Sequence, residues 1–245
     1  MHIEKKRYVL IIKDITTEKE IETLKADFVA TLTHDLKVPI VAASNMIDLF
    51  LQEKFGDISE KQKFALSNMK SSNQELLNLV QILLETYKIS DKGIDLVKET
   101  IDLNIFIEDT IHEMEPIAHD NKINIIFNPD KTRPTINADR IQMQRVIKNL
   151  INNAIDHSHT KNIEVTLGAI PGYKTISVVD YGQGISKDEI KMIFNKYYSA
   201  AKKLRKVGTG LGLYLSQQIA QAHGGEITVQ SVENIRTEFC VKIPE

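Results

Sequence analysis

The sequence predicts a mainly α-helical hairpin that forms a dimeric four-helix bundle with a second copy, followed by an α+β sandwich domain. Two long segments in the first part of the chain carry apolar residues at helical spacing, with a short turn at 56–59 between them. The helical pattern breaks at residues 91–93. Beyond the break, strand-like and helix-like segments come in separate runs, which is typical of helices packed on one face of a mixed sheet.

Composition narrows the classes of function. The chain has 245 residues, enough for one or two domains, and its formal net charge of −2 does not favour a nucleic-acid partner. Its single cysteine, Cys240, excludes an internal disulfide and indicates a reducing compartment. The apolar run at 8–12 is far too short to span a bilayer. We therefore expect a cytoplasmic chain with no membrane contact of its own, although a longer parent protein could be membrane-anchored.

The first long helix should start near Glu18, after a strand at 8–12 and a capping segment at 14–17. Pro39 should bend this helix just after His34. Apolar positions continue on both sides of the proline, at Ile21, Leu24, Phe28, Leu32, Ile40, Ala43, Ile47 and Phe50.

The second helix carries a heptad seam, in which the residues are alternately three and four apart. The seam consists of Leu66, Met69, Asn73, Leu76, Val80, Leu83 and Tyr87. Leu77 and Leu84 widen the apolar stripe, so each helix must bury its side chains against more than one neighbour. Two helices cannot provide that cover, whereas two hairpins can, and the pattern therefore predicts a homodimer.

The remainder of the chain mixes the two periodicities. We expect strands near 122–127, 163–169, 174–179, 226–231 and 238–243. We expect helices near 103–115, 140–157, 187–194 and 212–223.

A histidine stands beside a carboxylate ahead of the proline, where residues 34–39 read His-Asp-Leu-Lys-Val-Pro. A bond from Asp35 to one ring nitrogen of His34 would fix the tautomer and make the other nitrogen more basic. Such a nitrogen can attack a γ-phosphate and form a phosphohistidine. A lone His-Asp pair is more often an ordinary surface feature, but its position before a helix-bending proline favours a catalytic role.

Two further features indicate a nucleotide site. Asn149 and Asn153 are four apart and share a helix face, and an amide oxygen suits Mg²⁺ that is already bound to phosphates, with Asn153 as the candidate metal ligand. Asp180 ends a strand and can accept a hydrogen bond from an adenine amino group, while Gly182 and Gly184 let the backbone approach the base. Each feature alone is also explained by ordinary helix-surface or turn residues.

Two more features belong to the same candidate site. Phe194 lies among aromatic residues that can anchor a lid, ahead of a basic run at 202–206 that can touch phosphates, although such a run is usually a solvated face. Gly208, Gly210 and Gly212 open a helix, and a glycine-rich backbone at a helix N-terminus can cradle phosphates. The motif lacks the lysine of a P-loop and the ribose-binding acid of a dinucleotide fingerprint.

In chain order, these features resemble the sensor histidine kinases of two-component systems. His34 matches the phosphoacceptor box of that family. The matches to its ATP-binding boxes are Asn149 and Asn153, then Asp180, Gly182 and Gly184, then Phe194, and then Gly208, Gly210 and Gly212. The resemblance implies a homodimer that uses Mg²⁺ and ATP to phosphorylate His34, with Asp35 assisting, and that transfers the phosphate to an aspartate on the receiver domain of a response regulator.

The resemblance also implies a division of the chain. Residues 1–20 look like the end of a PAS-like sensor and a linker, 21–90 like the dimerisation and phosphotransfer hairpin, and 94–245 like an ATP-binding domain of the gyrase, heat-shock chaperone and MutL type. Two positions depart from the family. Val38 stands where threonine or asparagine is frequent, and Asp156 stands where lysine or arginine is common, which puts one phosphate contact in question.

Two other functions account for part of the pattern. A serine kinase or an ATP-driven conformational machine could use the same ATPase fold, but it would not need His34 in a helical hairpin. A catalytically silent scaffold could dimerise and recruit a response regulator, but it would not need the complete set of ATP-binding boxes.

The resemblance associates a threonine or asparagine at position 38 with dephosphorylation of the regulator, in which the polar side chain would hold the attacking water. Val38 has nearly the shape of threonine but no group that can hold this water, so we predict weak phosphatase activity toward the phosphorylated regulator. Val38→Thr should raise the rate of regulator dephosphorylation, measured with ADP present and ATP removed. Strong activity in the parent protein with no gain in the variant would contradict this, and would leave the kinase assignment untouched.

Overall fold

The computed structural model describes residues 13–157, 161–198 and 210–245. The chain divides into two compact units, with the division between Asp91 and Lys92. The predicted strand at 8–12 lies outside the described residues. Within the described ranges, no helix is long and apolar enough to cross a membrane.

The first unit is a helical hairpin, in which α1 spans Thr16–Leu51 and α2 spans Glu60–Lys92. The α1 helix includes Pro39 and is continuous through it. A capping box starts α2, since the Ser59 N–H donates to Gln62 Oε1 at 2.8 Å and the Gln62 N–H donates to Ser59 Oγ at 3.3 Å. Local chemistry in the turn therefore fixes where the second helix begins.

The two helices of the hairpin meet along a narrow buried seam. Val29, Ile40 and Ile47 of α1 are buried, as is Val80 of α2. Asn73 lies on the predicted heptad seam, and its Nδ2 donates to the Ile40 carbonyl and to Ser44 Oγ, both at 3.3 Å. Large apolar side chains stay exposed at Met69 and Leu76 of the predicted heptad seam, and also at Ile21, Leu24, Phe28, Leu32, Leu36, Val38, Met46, Leu49, Phe50 and Phe64. This is the surface that the predicted second copy would cover.

The second unit is an α+β sandwich. Its five-stranded sheet has the spatial order β2–β4–β5–β7–β6. These strands are β2 (Asn124–Phe127), β4 (Asn162–Ile170), β5 (Tyr173–Asp180), β6 (Glu226–Val232) and β7 (Arg236–Pro244). Only the β2–β4 pair is parallel among these neighbours. The predicted mixed sheet is therefore confirmed.

Three helices cover one face of this sheet, namely α3 (Leu103–Asp120), α4 (Arg140–His157) and α6 (Gly212–Ala222). Alternate strand residues point into the shared core, as the period of a strand requires. The largest fully buried side chains are Phe106, Ile107, Met143, Ile147, Leu150, Ile151, Ile163, Ile176, Ile219 and Ile243, together with Ile101 and Leu103. This core holds α4 and α6, which carry most of the candidate nucleotide residues, against the sheet.

The structure adds two strands that the sequence analysis missed and shortens one helix. Strands β1 (Glu99–Asp102) and β3 (Thr135–Ala138) form a separate antiparallel pair, each too short to show a period. The helix predicted at 187–194 is wrong beyond its first turn, since α5 spans Lys187–Ile190 only. A capping box at Ser186 starts α5, but tighter turns follow it and Tyr197 adopts a positive φ of 66°.

Gly225 makes the tightest backbone approach in this unit, because a Cβ added there would collide with the Lys242 carbonyl oxygen. We expect Gly225→Ala to lower the free energy of unfolding by about 1–3 kcal/mol, since the obstacle is the backbone of a central strand. Gly168→Ala is the control, because its added Cβ meets only the Thr175 hydroxyl, at 2.8 Å, which can rotate away. Urea unfolding of both variants measures the difference, and equal losses would contradict the prediction.

Candidate functional site

The candidate phosphoacceptor lies on the exposed surface of α1. The His34 and Asp35 side chains are 78% and 69% exposed, and His34 Nδ1 lies 3.3 Å from Asp35 Oδ1. When Nδ1–H donates to this carboxylate, Nε2 keeps its lone pair. The preceding residue, Thr33, is buried and donates to the Val29 carbonyl at 2.6 Å. Thr33 is therefore packed against its own helix, while the adjacent His34 side chain remains accessible to a substrate.

The same local arrangement occurs a second time in the chain. His112 on α3 lies 3.2 Å from Glu115, with side chains 85% and 61% exposed. An exposed helical histidine next to a carboxylate is thus not specific to His34. Further along α1, Val38 is 57% exposed, so the hairpin itself does not bury it.

The asparagines of α4 contact the start of α6. Asn149 Nδ2 donates to Ser216 Oγ at 2.9 Å, and Ser216 is fully enclosed. A Cβ on Gly212 would collide with the side-chain oxygen of Asn149. The Asn149 side chain therefore lies directly against Gly212, where a residue larger than glycine would displace it.

Asn153 lies one turn further along α4 and has an unsatisfied polar group. Its Nδ2 is buried and has no hydrogen-bond partner among the described residues. A buried polar group of this kind costs about 1–3 kcal/mol unless something binds it. Because a side-chain amide can present either its oxygen or its nitrogen in the same place, Asn153 suits a ligand that carries phosphate oxygens and a metal ion.

Metal binding by acidic clusters finds no support in the described part of the chain. No group of three or more histidine, cysteine, aspartate or glutamate side chains lies close enough together there to hold a metal ion.

Asp180 ends β5 as a buried carboxylate. It is 8% exposed, and its Oδ1 accepts a hydrogen bond from the Gly182 N–H at 3.0 Å. Burial raises the pKa of Asp180 to about 6, and the bond from Gly182 acts in the opposite direction. The carboxylate retains acceptor capacity beyond that single bond, which fits an amino group of a base.

Sequence reasoning missed two hydroxyl residues near Asp180. Thr237 of β7 is the cross-strand partner of Asp180 and is buried. Its hydroxyl lies 3.0 Å from Ser231 Oγ, which accepts from the Ile185 N–H at 2.8 Å and donates to the Arg236 carbonyl. The pairing of β5 with β7 brings Thr237 to Asp180, and the pairing of β6 with β7 brings Ser231 to Thr237, so the residues meet only in the folded sheet.

Two of the candidate glycines pack closely on other backbone segments. Gly184 has a φ of 69°, and a Cβ there would lie 2.5 Å from the Val232 carbonyl oxygen. Gly210 has a φ of 65°, and its carbonyl accepts from the Tyr197 N–H at 3.0 Å. Positive φ and lack of space both exclude a larger residue at these positions.

Phe194 and Tyr197 connect the sheet to the glycine-rich segment before α6. Phe194 packs edge-on against Phe239 of β7, with ring centroids 6.5 Å apart. The Tyr197–Gly210 hydrogen bond then connects the residues on either side of segment 199–209. Gly208 lies in that segment, outside the described residues.

Two family matches agree with these two groups of residues. Residues 24–92 match the family described as "His Kinase A (phospho-acceptor) domain", and residues 138–245 match "Histidine kinase-, DNA gyrase B-, and HSP90-like ATPase". The chain belongs to the sensor histidine kinases. The expected family is thereby confirmed.

Relatives extend the match over nearly the whole histidine kinase chain. Sensor protein kinase WalK of Staphylococcus aureus is 32% identical over 242 residues, which cover 97% of this chain and 58% of that protein. The WalK of strain JH9 shows the same identity but is covered to only 39%. The chain thus spans about 39–58% of the length of these curated relatives.

Solved structures of histidine kinases share the fold. Full-length ShkA in complex with AMPPNP has a TM-score of 0.74 and 25% identity, and the match covers 89% of this chain and 45% of ShkA. The catalytic domain of the histidine kinase ThkA has a TM-score of 0.53 and 27% identity, with coverage of 62% of this chain and 96% of that domain. Histidine kinase AdeS of Acinetobacter baumannii, at 21% identity and a TM-score of 0.59, covers 86% of this chain and is itself covered to 97%.

We predict that Asp180→Asn stabilises the histidine kinase above pH 6. The pKa of Asp180 in the folded protein, about 6, exceeds the ordinary value of 3.8. The free energy of unfolding of the parent protein therefore falls as the pH rises from the lower of these values to the higher. Asparagine keeps an acceptor for the Gly182 N–H without the charge. Urea unfolding should show a gain of about 1–3 kcal/mol at pH 8 that vanishes near pH 4.

The control for this experiment is Asp130→Asn. Hydrogen bonds from the Thr132 backbone and side chain lower the pKa of Asp130, so its replacement should bring no gain at pH 8. Similar stability changes for both variants, or a gain for Asp180→Asn that does not depend on pH, would contradict the prediction.

Proposed function

We propose that this chain binds Mg²⁺-ATP in its second unit, phosphorylates His34, and passes the phosphoryl group to an aspartate on the receiver domain of a response regulator. Residues 21–90 would be the dimerisation and phosphotransfer hairpin, 94–245 the ATP-binding domain, and 1–20 the end of a PAS-like sensor with its linker. The observation that carries the proposal is the fit of Asn149 to Gly212, because it joins two ATP-binding boxes in one site.

The adenine would be recognised at Asp180. This carboxylate is buried and needs a donor, and the 6-amino group of adenine supplies one, whereas guanine presents an oxygen at the equivalent position. Gly182 orients the carboxylate through its backbone N–H. The proposal therefore includes a preference for ATP over GTP.

The phosphates would lie at the start of α6. Gly210 and Gly212 leave room for a close approach to backbone N–H groups, and the N-terminus of α6 favours negative charge. Asn153, whose side-chain amide has an unsatisfied buried group, would face the phosphates from α4. Asn153, with Asn149 beside it, would hold Mg²⁺, which neutralises charge on the phosphates when it is bound.

His34 would act as the nucleophile. Nδ1–H donates to Asp35, and Nε2 attacks the γ-phosphorus, so that an N–P bond forms as the bond from phosphorus to the β–γ bridging oxygen breaks and ADP leaves. The Nδ1 proton can pass to Asp35, so the ring need not remain doubly substituted and charged. The exposure of both side chains lets a second protein reach the phosphohistidine and accept the phosphoryl group.

Support for nucleotide binding and for a histidine acceptor comes from separate sources. The ATPase family match and the ShkA complex with AMPPNP support nucleotide binding. The phospho-acceptor match to 24–92 favours a histidine kinase over a serine kinase, and the presence of both matches favours an enzyme over a silent scaffold. Exposed apolar residues on the hairpin support a homodimer.

We predict that His34→Gln abolishes autophosphorylation and leaves ATP affinity unchanged. The chain is incubated with ATP labelled at the γ-phosphate, and the label is then tested for acid and base stability. The parent should carry acid-labile, base-stable label, because phosphohistidine hydrolyses in acid. Calorimetric titration with ATP measures binding in the same samples.

His112→Gln is the matched control, since His112 has the same exposure and the same kind of carboxylate neighbour as His34. This variant should be labelled like the parent. Acid-labile label that persists in His34→Gln would refute the acceptor assignment, acid-stable label would indicate a serine kinase, and no label in the parent would indicate a scaffold.

A further inference from the structure

The C-terminus of α6 carries a buried histidine that the proposed reaction does not use. His223 is 4% exposed, and its Nε2 accepts a hydrogen bond from the Asp139 N–H at 2.9 Å. Its Nδ1 lies 2.8 Å from the Ile219 carbonyl, to which Nδ1–H donates. Both ring nitrogens are thus engaged, and the neutral tautomer of His223 is fixed by its partners.

Asp139 extends this contact to a third segment. It is 8% exposed, and its Oδ1 accepts from the Gln142 N–H at 3.0 Å in the first turn of α4. Its Oδ2 accepts from the Val97 N–H at 2.9 Å. We call Asp139 and His223 with these hydrogen bonds the Asp139–His223 bridge. It ties the end of α6 and the start of α4 to the segment that follows α2 in the chain.

The bridge is a polar contact that aligns α4 with α6, and a second such contact lies among the described residues. The other is the Asn149–Ser216 hydrogen bond. Because Asp139 precedes Asn149 while His223 follows Ser216, the two helices run in opposite directions and are fixed at two points along their length. Two fixed points prevent one helix from sliding or rotating on the other, which a single contact would allow.

This alignment matters because each helix carries part of the candidate nucleotide site. Asn153 follows Asn149 by one turn on α4, and Gly212 precedes Ser216 by one turn on α6. A slide of either helix would separate these groups or close the space between them. The contact that prevents such a slide lies at the opposite end of the helix pair.

We propose that Asp139 and His223 are positioning residues for nucleotide binding, which hold α4 and α6 in the alignment that the ATP site needs. The proposal rests on the ATP site described above. It also predicts a reciprocal effect, since a bridge that strengthens ATP binding must itself be strengthened by ATP to the same degree.

The variants that test the bridge are Asp139→Asn, His223→Leu and His223→Gln. In Asp139→Asn, the side-chain NH₂ group faces either the Val97 N–H or the Gln142 N–H, and that donor loses its acceptor. In His223→Leu, the Asp139 N–H loses its acceptor. Both should weaken ATP binding about tenfold, as expected for the loss of a buried hydrogen bond. Glutamine offers an acceptor oxygen to Asp139 and should restore most of the affinity.

Ile107→Val is the control for a purely structural role, because it removes buried volume from α3 without altering a polar group. ATP titrations are made at a temperature where every variant is folded, as shown by its unfolding curve. The control should lose stability and keep its ATP affinity. If Asp139→Asn and His223→Leu behave like the control, the positioning role is refuted.

A second measurement needs no variant and therefore does not depend on how the variants fold. Amide hydrogen exchange at Val97 and Asp139 is compared in the parent with and without Mg²⁺-ATP, and Leu103 is the reference because its N–H bonds to the Pro134 carbonyl at 2.9 Å, away from the bridge. The two bridge amides should slow about tenfold, and Leu103 should change little. Equal changes at all three amides would overturn the proposal. A parent that binds no ATP would instead refute the proposed function.

Discussion

The contact between α4 and α6 is the constraint on which the candidate ATP site depends. Asn149 bonds to Ser216, and its side-chain oxygen occupies the space in which a Cβ on Gly212 would lie, so this contact helps to set the distance between the two helices. Neither helix carries a complete binding surface, because the amides lie on α4 and the glycine-rich entry lies on α6. The buried core under both helices stabilises the second unit, and the polar contacts between α4 and α6 set the alignment of the two helices.

Two buried polar groups of the candidate site, Asp180 and Asn153, lower the stability of the free protein. Asp180 is buried, and its raised pKa means that the charged form opposes folding at neutral pH. Asn153 adds a buried amide without a partner among the described residues. An apolar core would not contain either group. Both become favourable when a ligand supplies a donor to the carboxylate and a partner to the amide, so the features that weaken the free protein are those that would bind ATP.

Sequence alone predicted the long periodic elements and most of the residues of the candidate site. The reason is that α4, α6 and the glycine-rich segments at 182–184 and 208–212 have strong local patterns. It missed β1 and β3, whose four residues each are too few to show a period, and it extended α5 because the apolar residues of the following turns resemble a helix. Thr237 and His223 could not have been assigned, because their partners lie far away in the chain. Contacts that depend on strand pairing or helix packing leave no trace in local spacing.

Local geometry does not by itself distinguish His34 from His112 as the phosphoacceptor. Both are exposed helical histidines with a carboxylate at hydrogen-bond distance, and the chemistry of the two pairs is nearly the same. Their surroundings differ, because α3 packs against a helix and two strands of its own unit, whereas α1 presents a row of exposed apolar residues around His34. An exposed apolar surface of this kind is typical of a site that another protein surface covers. A histidine in that setting can meet partners, whereas His112 lies on a helix that packs within its own unit.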